Sequence, residues 1–252
     1  MERKNFLRTF AVAAAAGPML LDACGKDAST KTSTTTTTTT TGSSSTTVSE
    51  SGSCTVTPTE TEGPFPYPGG EINDPLNRTD ITGSQTGIPI SYTFLVVNTN
   101  NSCAVVSGAR VDIWHCNKDG YYSGYGNQPG ILGTETYVGE TWLRGYEITN
   151  SYGIVTFSSI YPGWYSPRAT HIHLEIYIDS VLKKTAQLAF PESISNAVQV
   201  STLYAAHGAN PTTNSADSVF GDSATDLANE TLSLTGSLTA GYAGTYTIGL
   251  AL

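Results

Sequence analysis

From residue 90 onward, apolar side chains recur at nearly every second position. Ile90-Ser91-Tyr92-Thr93-Phe94-Leu95-Val96 alternates in this way, the spacing of a strand with one face buried. Asn98–Ser102 is a polar turn cluster, a second strand is expected near Val105, and Ala109–His115 follows the Ser107-Gly108 turn. Trp142–Thr149 and Ile154–Ile160 flank Asn150-Ser151-Tyr152-Gly153, and this spacing predicts a hairpin. His171–Ile178 and Leu182–Phe190 predict another around Asp179-Ser180, and Gly244–Ile248 a last strand. Helical periodicity is nearly absent, with one short helix or turn expected after Pro191-Glu192-Ser193. Short strands divided by Gly and Pro turns predict an all-β fold: a single β-sandwich of mostly antiparallel strands with long site loops.

The first 52 residues break this pattern. Arg3, Lys4 and Arg8 precede an apolar run from Phe10 to Leu21, too short for a bilayer span, so residues 1–23 read as an export signal. Leu21-Asp22-Ala23-Cys24 resembles a lipobox, which makes Cys24 the expected lipid attachment. Arg3–Arg8 resembles a twin-arginine signal with Lys4 in place of the second arginine. Residues 24–52, with unbroken threonine from Thr34 to Thr41, contain too little apolar surface to fold. As a flexible coil they reach roughly 30 Å. The expectation is therefore an exported domain, residues 53–252, held to the cell envelope only through a lipid. About 200 residues suffice for one domain with a real core.

The net charge of −9, with 12 Lys and Arg, excludes the basic footprint of a nucleic-acid binder. With Cys24 assigned to the lipid, Cys54, Cys103 and Cys116 allow one internal disulfide and leave one thiol free; the pairing stays open.

Candidate chemistry gathers around Thr170-His171-Ile172-His173-Leu174-Glu175-Ile176-Tyr177-Ile178. Alternation puts His171, His173, Glu175 and Tyr177 on one face and the apolar residues on the core face. Two imidazoles two apart on a strand can share a metal ion, although an isolated His-x-His more often lies in solvent. Two tyrosine-bearing, Gly-rich segments adjoin it: Trp114-His115-Cys116-Asn117-Lys118-Asp119-Gly120-Tyr121-Tyr122-Ser123 and Tyr161-Pro162-Gly163-Trp164-Tyr165-Ser166-Pro167-Arg168. Loops that leave strand ends are where sites are built.

These segments resemble the intradiol ring-cleavage dioxygenases, the family of catechol and protocatechuate dioxygenases. The likeness includes Thr59-Glu60-Thr61-Glu62-Gly63-Pro64-Phe65, Asp112–Cys116 leading to Gly120–Ser123, Leu143-Arg144-Gly145, Tyr161–Tyr165, Arg168-x-x-His171-x-His173, and Gln187 beyond. It covers most of residues 54–190. The link from Tyr165 to Arg168 is shorter than in the better-known members, and Ala169 stands where the family usually has proline. The closest likeness is to exported, shorter members without the helical domain through which catechol dioxygenases dimerise, so no oligomeric state follows.

The resemblance implies a non-haem Fe(III) held by Tyr122, Tyr165, His171 and His173, with a small aromatic diol and O2 as substrates. It gives Tyr165, Arg168 and Gln187 catalytic roles and puts Glu62, Gly63, Pro64 and Trp164 at the pocket, although Glu62–Pro64 equally suits a plain turn. Tyr121 and Tyr125 compete with Tyr122, as Tyr161 does with Tyr165, and register selects between them. His115 matches no ligand position and reads as structural, and Arg144 as a buttress. Two other readings remain at this stage: a surface module that binds polysaccharide or peptide without catalysis, and a zinc or copper site.

Overall fold

The computed structural model describes residues 55–70 and 76–252. The expected export signal, the tether, Cys24 and Cys54 lie outside these residues. The described part is mostly β, arranged in several sheets.

In chain order the strands are β1 (Pro89–Asn98), β2 (Ala104–Val105), β3 (Arg110–Trp114), β4 (Gln128–Gly130), β5 (Gly133–Glu135), β6 (Arg144–Ile148), β7 (Ile154–Ile160), β8 (His171–Ile178), β9 (Val181–Ala189), β10 (Ser233–Ser237) and β11 (Gly241–Leu250). Helix α1 (Glu192–Gln199) follows β9, and α2 (Ala224–Glu230) precedes β10. A five-stranded sheet runs β10-β11-β1, with β7 and β2 both along the far edge of β1. Only its β1–β11 pair is parallel. A four-stranded antiparallel sheet runs β6-β3-β8-β9, and β4 pairs with β5 apart from both.

One hydrophobic cluster draws on both large sheets. It contains Ile90, Tyr92, Phe94 and Val96 of β1, Val155 and Phe157 of β7, Val111 and Ile113 of β3, and Ile172, Leu174 and Ile176 of β8. Alternation along each strand delivers these residues to one side, as the sequence pattern requires. The opposite face of β8 is not solvated: His171, His173 and Glu175 are all buried. Its cover is the segment before β1. Glu60 N donates to Thr185 O at 3.0 Å, Gln187 Nε2 donates to Thr61 O at 2.8 Å, and Arg144 Nη2 donates to Phe65 O at 3.0 Å.

The expected β8–β9 hairpin is present, turning through Asp179 (φ 51°) and Ser180 (φ 62°), as a two-residue primed turn demands. The hairpin expected around Asn150–Gly153 is not. The chain reverses there, with Asn150 Oδ1 accepting from Tyr152 N and Ile154 N, but β6 pairs with β3 and β7 with β1. Turn residues fix a reversal; they do not fix which sheet the next strand joins, and the buried face of β7 is needed on the other sheet. Helix α1 starts where Pro191 forecast it. The seven-residue α2, capped by Ser223 Oγ accepting from Asp226 N, was not expected.

Candidate metal centre

β8 carries His171 and His173 side by side, and each ring is fixed by its neighbours. His171 Nδ1 lies 2.7 Å from Ala169 O, which sets Nδ1 as the donor and leaves the Nε2 lone pair facing inward. His173 stacks on Trp114 of β3 with ring centres 4.9 Å apart and planes 4° apart. Gly63 (φ +76°) lies against its other edge, so close that a Cβ there would come within 2.9 Å of His173 Cε1.

Tyr122 enters from the loop after β3. Its backbone N donates to Gln128 Oε1 at 2.8 Å, and its ring stacks on Phe65 at 4.6 Å. Its Oη lies 3.0 Å from His173 Nε2 and 3.4 Å from His171 Nε2, and the two Nε2 atoms are 3.1 Å apart. The centre of this triangle is about 1.8 Å from each corner, close to the roughly 2.0–2.2 Å of metal bonds to imidazole and oxygen. The Tyr165 ring faces both Tyr122 (5.7 Å) and His171 (5.5 Å), and its buried Oη has no hydrogen-bond partner of good geometry. Four donors thus gather in one buried place.

Burial dominates the electrostatics. It raises the Tyr122 phenol well above its usual range and pushes Tyr165 up to about 12, with the Arg168 guanidinium opposing both. Burial also lowers His171 to about 3 and His173 well below its ordinary value. The imidazoles are therefore neutral and the phenols protonated until a cation stabilises the phenolates. Among the described residues no cluster of three or more His, Cys, Asp and Glu forms a metal site. The mixed phenol and imidazole set suits a hard, highly charged cation, and the unpartnered Tyr165 Oη fits a role as ligand.

The competitors point elsewhere. Tyr121 Oη donates to Gly133 O at 2.9 Å, Tyr125 Oη donates to Pro66 O, and Tyr161 Oη meets Ser195 Oγ at 2.9 Å. His115 is bound through both nitrogens, to Cys116 O and Ser159 Oγ, each at 2.7 Å, and burial lowers it to about 4. Arg144 buttresses Tyr122 from behind, donating to Ser123 O at 2.9 Å and Ser123 Oγ at 3.0 Å. Arg168 and Gln187 meet beside the tetrad, with Arg168 Nη2 donating to Gln187 Oε1 at 2.7 Å. Glu62 and Pro64 are exposed, and Gly63 is the member of that turn which packs against His173. Trp164 serves as support: its ring packs on His207 (4.5 Å) and its Nε1 donates to Gly208 O at 3.0 Å.

Sequence reasoning missed Asp217, whose side chain is wholly buried and ion-pairs with Arg168 at 2.9 Å, and Phe220, 6.3 Å from the His171 ring. Neither belongs to a motif, and no signal marks a lone aspartate 49 positions from its partner. Phe65 and Trp114 lie within the motifs, yet their stacking on Tyr122 and His173 is legible only in three dimensions. Cys103 is disulfide-bonded, and Cys116 is a free, buried thiol among the described residues.

No protein-family model matches the chain, and no curated protein does. Solved structures do. An intradiol ring-cleavage dioxygenase from Tetranychus urticae is similar at 27% identity and TM-score 0.69, over 78% of this chain and 95% of that one. A second dioxygenase structure matches at 26% identity and TM-score 0.69, over 79% and 95%. The dioxygenase domain of a dioxygenase–carbohydrate-binding fusion from the cellulolytic bacterium Streptomyces sp. SirexAA-E shares the fold at 23% identity and TM-score 0.54, over 77% and 96%.

Proposed function

Given that the chain belongs to the intradiol ring-cleavage dioxygenase family, we propose that it is an Fe(III)-dependent enzyme acting on catechol-type diols. Both atoms of O2 enter the substrate, and the ring opens between the two hydroxylated carbons to give a muconate-type diacid. The observation that carries this reading is the convergence of Tyr122 Oη, His171 Nε2 and His173 Nε2 within 3.4 Å of one another, beside the unpartnered Tyr165 Oη. A module that only binds polysaccharide or peptide has no use for four buried, converging donors.

Ferric iron, when bound, supplies an anchor for both diol oxygens and draws electron density from the ring. The protein does the rest. Tyr122, Tyr165, His171 and His173 hold the cation, and the two phenolates offset part of its charge. Tyr165 Oη, which has no hydrogen-bond partner of good geometry, would receive a proton from the incoming diol. Arg168 steadies negative charge as it develops on the substrate, in a buried place where such a contact counts for more than in water. Gln187 keeps the guanidinium in line. Phe65 and Gly63 close the site against water.

We read the two larger sheets as layers of one β-sandwich, since one hydrophobic cluster draws on both. We also place the enzyme outside the cytoplasm, lipid-anchored at Cys24 through the 24–52 tether. The disulfide at Cys103 supports an oxidising compartment. Metal analysis by mass spectrometry tests the iron, with about one iron per chain and a purple-red colour expected. Tyr165→Phe is expected to bleach or shift the visible band without unfolding the protein. Colourless protein after ferric reconstitution contradicts the proposal.

A further inference from the structure

We propose that Asp217 is the positioning residue for Arg168: it locks the guanidinium edge-on beside the ring-cleavage site. The inference rests on the functional reading above and goes beyond it, because Asp217 lies outside every motif that carried that reading.

Asp217 is 2% exposed and gathers four donors on two oxygens. Arg168 Nε donates to Oδ2 at 2.9 Å and to Oδ1 at 3.1 Å. Ala169 N donates to Oδ2 at 2.6 Å, Val219 N to Oδ1 at 2.8 Å, and Phe220 N to Oδ1 at 3.3 Å. Asn210 Nδ2 adds a bond to Arg168 O at 2.9 Å from the same segment. The chain from 210 to 220 thus grips the loop that carries Arg168 from outside.

The guanidinium is held from two sides. Asp217 takes its Nε edge and Gln187 takes Nη2. The Tyr165 hydroxyl lies within reach of this guanidinium, whose charge and hydrogen bonding both favour the phenolate, so the held fork borders the donor cluster. A planar fork fixed at two edges has lost its rotamer freedom before substrate arrives. The Ala169 bond ties this arrangement to the metal, since Ala169 O is the acceptor for His171 Nδ1. Proline at position 169 has no N–H and cannot make that bond to Asp217. Burial works against charge on Arg168, and the Asp217 carboxylate, together with smaller contributions from Tyr165 and Tyr122, more than offsets it.

Asp217→Asn isolates the role. The Asn oxygen still accepts from Val219 N, while its NH2 faces Arg168 Nε–H and Ala169 N–H, donor against donor. The test is a cycle of wild type, Asp217→Asn, Arg168→Gln and the double variant, all as iron-loaded full chain. Iron content, visible band, and kcat and KM for oxygen uptake with catechol are measured. Where Arg168→Gln turns over too slowly, anaerobic catechol affinity from the band shift is read instead. The expected result for Asp217→Asn is full iron loading, an unchanged band, and kcat lowered on the order of 10- to 100-fold, with KM moving less. In the Arg168→Gln background the same change is expected to cost less than about 3-fold.

Asp217→Asn with kcat within about 2-fold of wild type overturns the inference, as does an equal loss in both backgrounds. If Asp217→Asn does not fold, Asp217→Ser, with room for water at the same donors, takes its place. Failure of both to fold while Arg168→Gln folds also overturns it, since the residue then serves folding. Wild-type enzyme that consumes no oxygen on any catechol sinks the functional reading instead, and is distinguishable from all of these.

Discussion

Gly63→Ala probes the cover over the metal centre with one methyl group. Gly63 has φ +76°, where an L-residue is strained by about 1–2 kcal/mol. The new Cβ would lie 2.9 Å from His173 Cε1. The ring cannot retreat easily, because its face is stacked on Trp114 and its Nε2 lies 3.0 Å from Tyr122 Oη and 3.1 Å from His171 Nε2. Overpacking of this kind adds roughly 1–3 kcal/mol. The two together predict a loss of about 2–5 kcal/mol and a fall in Tm of roughly 4–20 °C for a domain of this size. Because the clash bears on a residue that would hold the proposed iron, iron loading is expected to fall as well. Differential scanning calorimetry and iron stoichiometry on the same preparation measure both. A variant with unchanged Tm and full iron refutes the claim that residues 60–65 are packed against the ligand ring.

Three further outcomes are expected. Glu230 is buried with neither carboxyl oxygen partnered in good geometry; burial and then the neighbouring Glu60 raise it from 4.5 to about 9. Between those values folding takes up a proton, so stability falls as pH rises, and Glu230→Gln is expected to stabilise the protein by roughly 1–3 kcal/mol at pH 7–8. Near pH 4.5 the gain should vanish; a pH-independent difference in denaturant midpoint contradicts this. Tyr122→Phe is expected to lose the visible band and most of its iron. Tyr121→Phe, whose hydroxyl bonds Gly133 O, is expected to keep both and lose about 1 kcal/mol of stability.

What the sequence revealed, and what it hid, divides along a physical line. Period-two alternation depends only on local geometry, so β1, β3, β7 and β8 were legible, as was the sharing of one face by His171 and His173. Partner choice is a long-range matter, which is why Asn150–Gly153 announced a reversal yet the strands it joins lie in different sheets. The seven-residue α2 is too short to establish a helical period. Burial of the histidine face was hidden because its cover comes from residues 55–67, more than a hundred positions away. The tyrosine choice came from motif register; in the structure the hydroxyls of Tyr121, Tyr125 and Tyr161 bond elsewhere. Asp217 was illegible because one acidic residue in a loop carries no period, spacing or composition.

The central claim is ring opening between two hydroxylated carbons at the Tyr122–Tyr165–His171–His173 centre. Iron-loaded protein incubated with a panel of catechols under isotopically labelled O2, followed by product mass spectrometry, tests it most directly. A ring-opened diacid carrying both labelled oxygen atoms, and none from protein lacking Tyr122 and His173, is the predicted result. No oxygen uptake on any catechol, or a product carrying the aldehyde of cleavage outside the diol, contradicts it.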